Sequence, residues 1–234
     1  MQRDAAPALA PAGAVSPDTL FLTWLAFAGV LLFAPALLWQ TGVWAMLLDA
    51  DPTGITMIIV AVFTASTVYC GWRSLRLCNE RYSMDAWRRG LPARPGSHVD
   101  AYFRDLAAQR PQDTGARGRL ADVLAERLHG PNDAAWWVNG IQIKLGLLGK
   151  VIGFSILAIQ ISRLESFDPS QTQDLLKTLT GGLGIALLTT AVGLLANMLL
   201  GLQLTRLDRC ADTLLADAMQ FADTGLATQP LRNA

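Results

Sequence analysis

The feature that most restricts the fold of this chain is a run of 26 residues, Leu179–Leu204, without any Asp, Glu, Lys or Arg. As an α-helix this run is about 39 Å long, which exceeds the ~30 Å hydrocarbon core of a bilayer. Long helices without charge are typical of membrane spans. The sequence therefore predicts that this segment crosses a membrane and either tilts or extends beyond it.

Three more apolar segments predict three further spans, namely Leu20–Trp44, Ile55–Trp72 and Gln142–Ser162, the last of which contains Lys150. The chain is 52% hydrophobic and 16% charged, whereas a soluble domain carries about 25% charged residues. We therefore expect an all-α, polytopic membrane protein with four transmembrane helices and cytoplasmic helical extensions.

Basic residues predict the orientation of the spans. Arg73–Lys144 contains twelve Lys/Arg, whereas the turn between the first two spans contains none. Because cytoplasmic loops of membrane proteins are enriched in Lys and Arg, this segment and both termini are expected in the cytoplasm. The predicted parts are a cytoplasmic tail (1–19), a transmembrane hairpin (20–72), a cytoplasmic helical loop (73–141), a pore-forming pair of spans (142–204) and a cytoplasmic C-terminal helix with its tail (205–234).

The cytoplasmic parts are predicted to be helical. The second span is expected to continue as a helix until Leu91–Gly96, and the fourth until about Asp223. Two short amphipathic helices are expected at Val99–Arg110 and Gly118–Leu128, the second ended by Gly130 and Pro131.

Small and polar residues recur at steps of three or four in the last two spans. Such stripes usually pack helices closely, and hydroxyl or amide groups can add hydrogen bonds or line an ion path. The predicted packing residues are Gly146, Gly149, Gly153, Gly182, Gly193 and Gly201. The candidate pore residues are Thr189, Thr190, Asn197 and Lys150.

Lys150 has two interpretations. A charge at membrane depth costs several kcal/mol unless it meets water, a counter-charge or the headgroups, so Lys150 either belongs to an ion path or extends its side chain to the cytoplasmic headgroups. No Asp or Glu lies within any predicted span. Because proton paths usually need a titratable relay, a conducted proton would need a carboxylate from another subunit.

Several functional classes are not indicated. Zero net charge gives no sign of a nucleic-acid partner. No cluster of His, Asp, Glu or Cys suggests an enzyme or a cofactor site, so neither is expected. The three cysteines match neither a zinc site nor a redox pair.

Two motifs in the last two spans resemble the MotA/TolQ/ExbB family of ion-channel subunits. Leu145–Phe154 (LGLLGKVIGF) is similar to the run that opens the first pore helix of TolQ and ExbB. Gly181–Leu194 (GGLGIALLTTAVGL) is similar to a run in the second pore helix of the same proteins. The order of two spans, a cytoplasmic loop, two spans and a tail resembles MotA instead.

The resemblance implies a bacterial inner-membrane protein that forms a homopentamer around a dimer of single-span partners like MotB, TolR or ExbD. In the family an aspartate of the partner carries protons past pore threonines, and the flow drives mechanical work. Thr190 matches the second pore threonine. Lys150 stands where the family has the first, Ile185 where TolQ and ExbB have glutamate, and Gly181 where they have proline.

Three functions follow as hypotheses. The first is a proton or other cation channel subunit that couples ion-motive force to work through its partner. The second is a gated or non-conducting member of the same fold, since Lys150 could pair with the partner's aspartate, repel cations or join the relay with a shifted pKa. The third is an unrelated four-helix transporter or membrane enzyme, although neither an inverted repeat nor a catalytic cluster is visible in the sequence.

Overall fold

The computed structural model describes residues 22, 24–31, 33, 40, 51, 53–108, 114–162 and 169–224. Of these residues, 93% are helical, and no strand occurs among them. Four helices are complete within these ranges: α1 (Ile55–Arg88), α2 (His98–Ala108), α3 (Thr114–Ser162) and α4 (Pro169–Thr224). The prediction of an all-α chain is confirmed.

Three of these helices are long and apolar enough to cross a membrane, and they correspond to α1, α3 and α4. They contain the second, third and fourth predicted spans. The first predicted span, Leu20–Trp44, lies mostly outside the described residues, although residues 22, 24–31, 33 and 40 within it are helical. The structure therefore indicates a membrane protein with three helices capable of spanning the bilayer.

Helix α1 passes without a break from the apolar segment into the basic one, as expected, and ends at Arg88. Gly90 adopts a left-handed conformation with φ of 66°. This lets Leu91 N–H donate to Ala86 O at 2.8 Å and Gly90 N–H donate to Trp87 O at 3.2 Å. Both bonds satisfy carbonyl groups at the helix end, and glycine adopts this conformation without steric penalty.

The prediction that Gly130 and Pro131 end a helix is wrong, because α3 continues through both residues. Side chains of α1 bind the backbone of this turn: Tyr69 Oη donates to Pro131 O at 2.8 Å, and Arg73 Nη2 donates to Leu128 O. A proline removes one helical hydrogen bond, but packed neighbours can satisfy the carbonyl groups around it. Tertiary contacts thus keep the helix intact where the local sequence favours its end.

Helices α3 and α4 are antiparallel, and α1 lies along both of them, parallel to α4. The direction of α1 follows from two polar contacts, Thr67 with Gln203 and Arg81 with Asp217, which are both 136 residues apart. The C-terminal part of α4 has an apolar face that is buried within the chain. Its buried members are Leu204, Leu207, Ala211, Leu214 and Ala218.

Helix α2 packs on the other three helices through four buried side chains, Val99, Tyr102, Phe103 and Leu106. Glu80 of α1 holds its first turn, since its carboxylate accepts hydrogen bonds from His98 N–H and Val99 N–H, both at 3.0 Å. A carboxylate at a helix N-terminus satisfies free N–H groups and complements the helix dipole. The other predicted short helix, Gly118–Leu128, is part of α3.

Arg73 links α1 to α3 from a buried position, with 6% of its surface exposed. Its Nε donates to Asn132 Oδ1 at 3.1 Å, and Asn132 Nδ2 donates to Asp208 Oδ1 of α4 at 2.7 Å. Burial lowers the pKa of Arg73, and the nearby Glu80 carboxylate opposes this shift. Three helices thus meet in one polar network next to Pro131.

We expect Arg73→Met to lower the free energy of unfolding by about 2 kcal/mol, because buried hydrogen-bonding groups on α3 lose their partner. The matched control is Arg76→Met, since Arg76 is exposed and its guanidinium stacks 4.7 Å from the centre of the Trp72 ring. Its loss is expected to cost less than about 1 kcal/mol. Melting temperatures in detergent compare the two variants. Equal values would contradict the stabilising role of Arg73 in the buried network.

The α3–α4 seam and its polar face

The contact between α3 and α4, here called the seam, is built from small residues. A Cβ added at Gly146 would lie 3.1 Å from Thr189 O and 3.3 Å from Gly193 Cα. A Cβ added at Gly193 would lie 3.0 Å from Gln142 O. The two backbones are therefore nearly in contact, which is possible only where side chains are absent.

The remaining predicted packing glycines extend the seam to different degrees. An added Cβ would lie 2.5 Å from Thr189 Oγ1 at Gly149 and 2.9 Å from Ala186 N at Gly153. The space is wider at Gly182, 3.3 Å from Leu157 Cβ, and at Gly201, 3.4 Å from Asn139 Nδ2. The glycine stripe predicted from the sequence is thus mainly a helix-packing surface.

Thr189 belongs to the seam. Its side chain is fully buried, and its hydroxyl donates to Ile185 O of the preceding turn at 2.9 Å. Within one chain it lies between α3 and α4, and it is not exposed on any outer surface.

Lys150, Thr190 and Asn197 lie on the same side of the helix pair, which faces away from α1, and we call this surface the polar face. Along it Thr190 is about one turn from Lys150, and Asn197, next to Asn139, is farther away. Ile55 and Ile59 of α1 pack beside Leu145, Ile152 and Val192. At about 100° per residue, Lys150 is about 140° from Leu145 and about 160° from Ile152 around α3. Around α4, Thr190 and Asn197 are about 160° and about 140° from Val192.

The side chains of Thr190 and Asn197 donate hydrogen bonds within the helix pair. Thr190 Oγ1 donates to Ala186 O at 2.8 Å and is 3.4 Å from Gly146 O, one turn from Lys150. Asn197 Nδ2 donates to Asn139 O of α3 at 2.8 Å. Both side chains are half-buried. Within the described ranges no donor reaches Thr190 Oγ1 or Asn197 Oδ1, so both oxygens can accept a hydrogen bond from outside.

Lys150 is exposed and surrounded by exposed apolar side chains, including Leu147, Val151 and Phe154. Its Nζ lies 5.9 Å from the centre of the Phe154 ring. Among the ion pairs between described residues, none includes Lys150. The polar face therefore carries one positive charge without a counter-charge from this part of the chain.

Three buried amide side chains that have an unpartnered polar atom were not predicted as site residues: Asn139, Gln142 and Gln203. Gln142 is fully buried, and neither of its amide atoms has a partner among the described residues. Asn139 Oδ1 and Gln203 Oε1 also have none. Buried polar atoms in proteins generally bind ordered water where no protein group is available. These buried amides could have been recognised in the sequence where an amide occupies a position of the small-residue stripe, as Gln142 does one turn before Gly146.

Within the described residues no group of three or more His, Cys, Asp or Glu is placed to hold a metal ion. Comparisons of the chain with protein-family models, curated proteins and solved structures find no match. The seam and the polar face are therefore the features of this chain that bear on its function.

The seam predicts that Gly149→Ala lowers the free energy of unfolding by about 1–3 kcal/mol, because the new methyl group overlaps Thr189. The matched control is Gly140→Ala on the same helix, where no atom lies within 4 Å of an added Cβ. There alanine should be neutral or stabilise by up to about 1 kcal/mol through helix propensity. Melting temperatures in detergent compare them. If both substitutions behave alike, the close approach of α3 and α4 at Gly149 is contradicted.

Proposed function

We propose that this chain is a subunit of a proton or other cation channel of the MotA/TolQ/ExbB type, which couples ion-motive force to mechanical work through a single-span partner. The observation that carries the proposal is the polar face. Two oxygen acceptors, Thr190 and Asn197, lie on one exposed side of a tightly packed pair of long apolar helices. An ion path needs such groups at membrane depth.

The proposed setting is the bacterial inner membrane, with four spans and both termini in the cytoplasm. Leu20–Trp44 would supply the first span, and α1, α3 and α4 would supply the others. The bias of Lys and Arg toward residues 73–144 supports this orientation. By the family resemblance, five copies would surround a dimer of MotB/TolR/ExbD-like subunits, with their outer surfaces in contact with membrane lipids.

The chain's own residues would then have distinct roles. The seam would hold α3 and α4 as one unit, so that Thr190 and Asn197 keep a constant spacing. Residues 145–162 and 178–205 contain no Asp or Glu. The group that takes up and releases the proton would therefore be the aspartate of the partner, and this chain would act as a channel wall rather than an enzyme.

The exposure of Lys150 favours a second candidate, a gated or non-conducting form of the same assembly. A fixed positive charge beside Thr190 opposes the entry of cations into the face. In this form the complex would be closed at rest and would conduct only after the charge is neutralised or displaced.

Proton flux tests the two candidates. The complex is purified from native membranes through a tag on this chain and placed in vesicles with an imposed membrane potential. We expect Lys150→Thr to raise the flux by about tenfold or more, since removing about 1.4 kcal/mol from a barrier has that effect. Adding Thr190→Val should lower it again because an oxygen acceptor is lost.

The matched control is Lys144→Thr, which removes the other exposed lysine of α3 and should leave flux unchanged. Substantial and equal flux in wild type and Lys150→Thr would refute the gated form. Absence of flux from every intact complex, including Lys150→Thr, would refute the channel.

A further inference from the structure

Three buried polar side chains, one from each long helix, interrupt the apolar interior between α1, α3 and α4. Ser66, Gln142 and Gln203 are 8%, 0% and 6% exposed. Among the described residues, neither amide atom of Gln142 has a hydrogen-bond partner, and Gln203 Oε1 has none either. A buried amide without a partner costs free energy, and the hydrocarbon of a bilayer offers nothing to bind it.

The rotation of α1 and α4 directs two of these side chains toward the interior. Ser66 lies four residues before Cys70, which belongs to the buried core. Gln203 lies three residues after Leu200 and four before Leu207, and both leucines belong to the same core. Residues at these steps share one side of a helix. Each polar side chain therefore occupies a position where its helix otherwise buries apolar groups.

The amide of Gln142 reaches the same height in the helix bundle. Gln203 is level with the serine of α1, because its Nε2 lies 3.3 Å from Thr67 Oγ1. The side chain of Gln142 leans toward the N-terminus of α3, which is the direction of Asn139. Asn139 Nδ2 lies 3.4 Å from a Cβ added at Gly201, and Gly201 is about 3 Å from Gln203 along α4. Side chains of three helices thus meet at one level.

The unpartnered atoms determine what can bind between them. Gln142 Nε2 needs an acceptor, whereas Gln142 Oε1 and Gln203 Oε1 need donors. A hard cation binds oxygen atoms and would leave the N–H group unpaired. Residues 55–72, 134–162 and 178–205 also contain no Asp or Glu that could balance its charge. Water both donates and accepts, and a buried water makes about three hydrogen bonds.

Gln203 is weakly held and lies close to one end of the apolar layer. Its Nε2 is 3.3 Å from Thr67 Oγ1 and 3.5 Å from Leu199 O, whereas N–H···O bonds are usually about 2.9–3.0 Å long. Arg206 follows three residues later, or about 5 Å along α4. Water from this end of the layer therefore has a short way to the amide.

We infer that α1, α3 and α4 enclose a water-binding site lined by Ser66, Gln142 and Gln203. The bound water molecules donate to the two amide oxygens and accept from the Gln142 N–H group. They fasten α1 to the helix pair at a level where direct contact leaves these groups unpaired. The site lies on the α1 side of the seam, apart from the polar face, and its occupancy does not depend on ion conduction.

Magnetic resonance on the isotope-labelled full chain in phosphatidylcholine vesicles detects this water directly. Polarisation is transferred from water protons to side chains, and the Gln142 amide signal is identified by its loss in Gln142→Met. We expect this signal to build up as early as that of Gln220, which is exposed, and earlier than the methyl signals of Leu200, which is fully buried. Gln203→Met should slow the transfer to Gln142, whereas Gln220→Met, the matched control, should not.

Melting temperatures in detergent measure the contribution of the site. Gln142→Met replaces the amide with an apolar chain of similar length. We expect it to lower the melting temperature by about 3 °C, because a water-bonded polar group is lost. The double variant with Gln203→Met should lose less than the sum of the two single losses, since the first substitution already removes shared water. Gln220→Met should have no effect.

Four results would overturn the site. A Gln142 signal that builds up no earlier than the Leu200 methyl signals would show that no water is bound. A higher melting temperature of Gln142→Met would show an amide buried dry, because removing an unpaired polar group is stabilising. Coupled variants without transfer from water would mean that the two amides bind each other. Wild type that melts higher in sodium or potassium chloride than in choline chloride, unlike Gln142→Met, would assign the site to a cation.

Discussion

The structure depends on the contact between the backbones of α3 and α4, where Gly146 and Gly193 leave no side chain between the helices. Within lipid, helices gain little from hydrophobic burial against each other, so close van der Waals contact and hydrogen bonds hold them together. The close approach places Thr189 inside the seam. It also brings Thr190 Oγ1 toward Gly146 O, one turn from Lys150.

Helix α1 gives the pair two unequal sides. It covers the side with Leu145, Ile152 and Val192, and the opposite side keeps its apolar surface and its one lysine exposed. Beyond the apolar segments, the Arg73 network ties α1 to α3 and α4 through Asn132 and Asp208. The polar face therefore results from where α1 packs as much as from the residues that form the face.

The seam could be predicted from the sequence because glycines at steps of three or four lie on one side of a helix whatever surrounds it. The path of α3 through Pro131 could not, because the groups that bind this turn, Tyr69 and Arg73, are 62 and 55 residues away in sequence. Periodicity likewise grouped Thr189 with Thr190. Their separation into a buried and an outward position follows from the rotation of α4 against α3, which only tertiary packing determines.

The uninterrupted course of α4 has a mechanical consequence. Its 56 residues form a rod about 84 Å long, of which the nineteen residues from Arg206 to Thr224 extend about 28 Å past the charge-free segment. Because no break absorbs rotation, a change of about 10° in the tilt of the apolar part moves the far end by about 5 Å. Helix α1 packs parallel to α4, and its Glu80 binds the first turn of α2, so α1 and α2 would move together with α4. A small rearrangement of the helix pair at the level of Lys150 would therefore cause a larger displacement of the end of α4, beyond the bilayer surface.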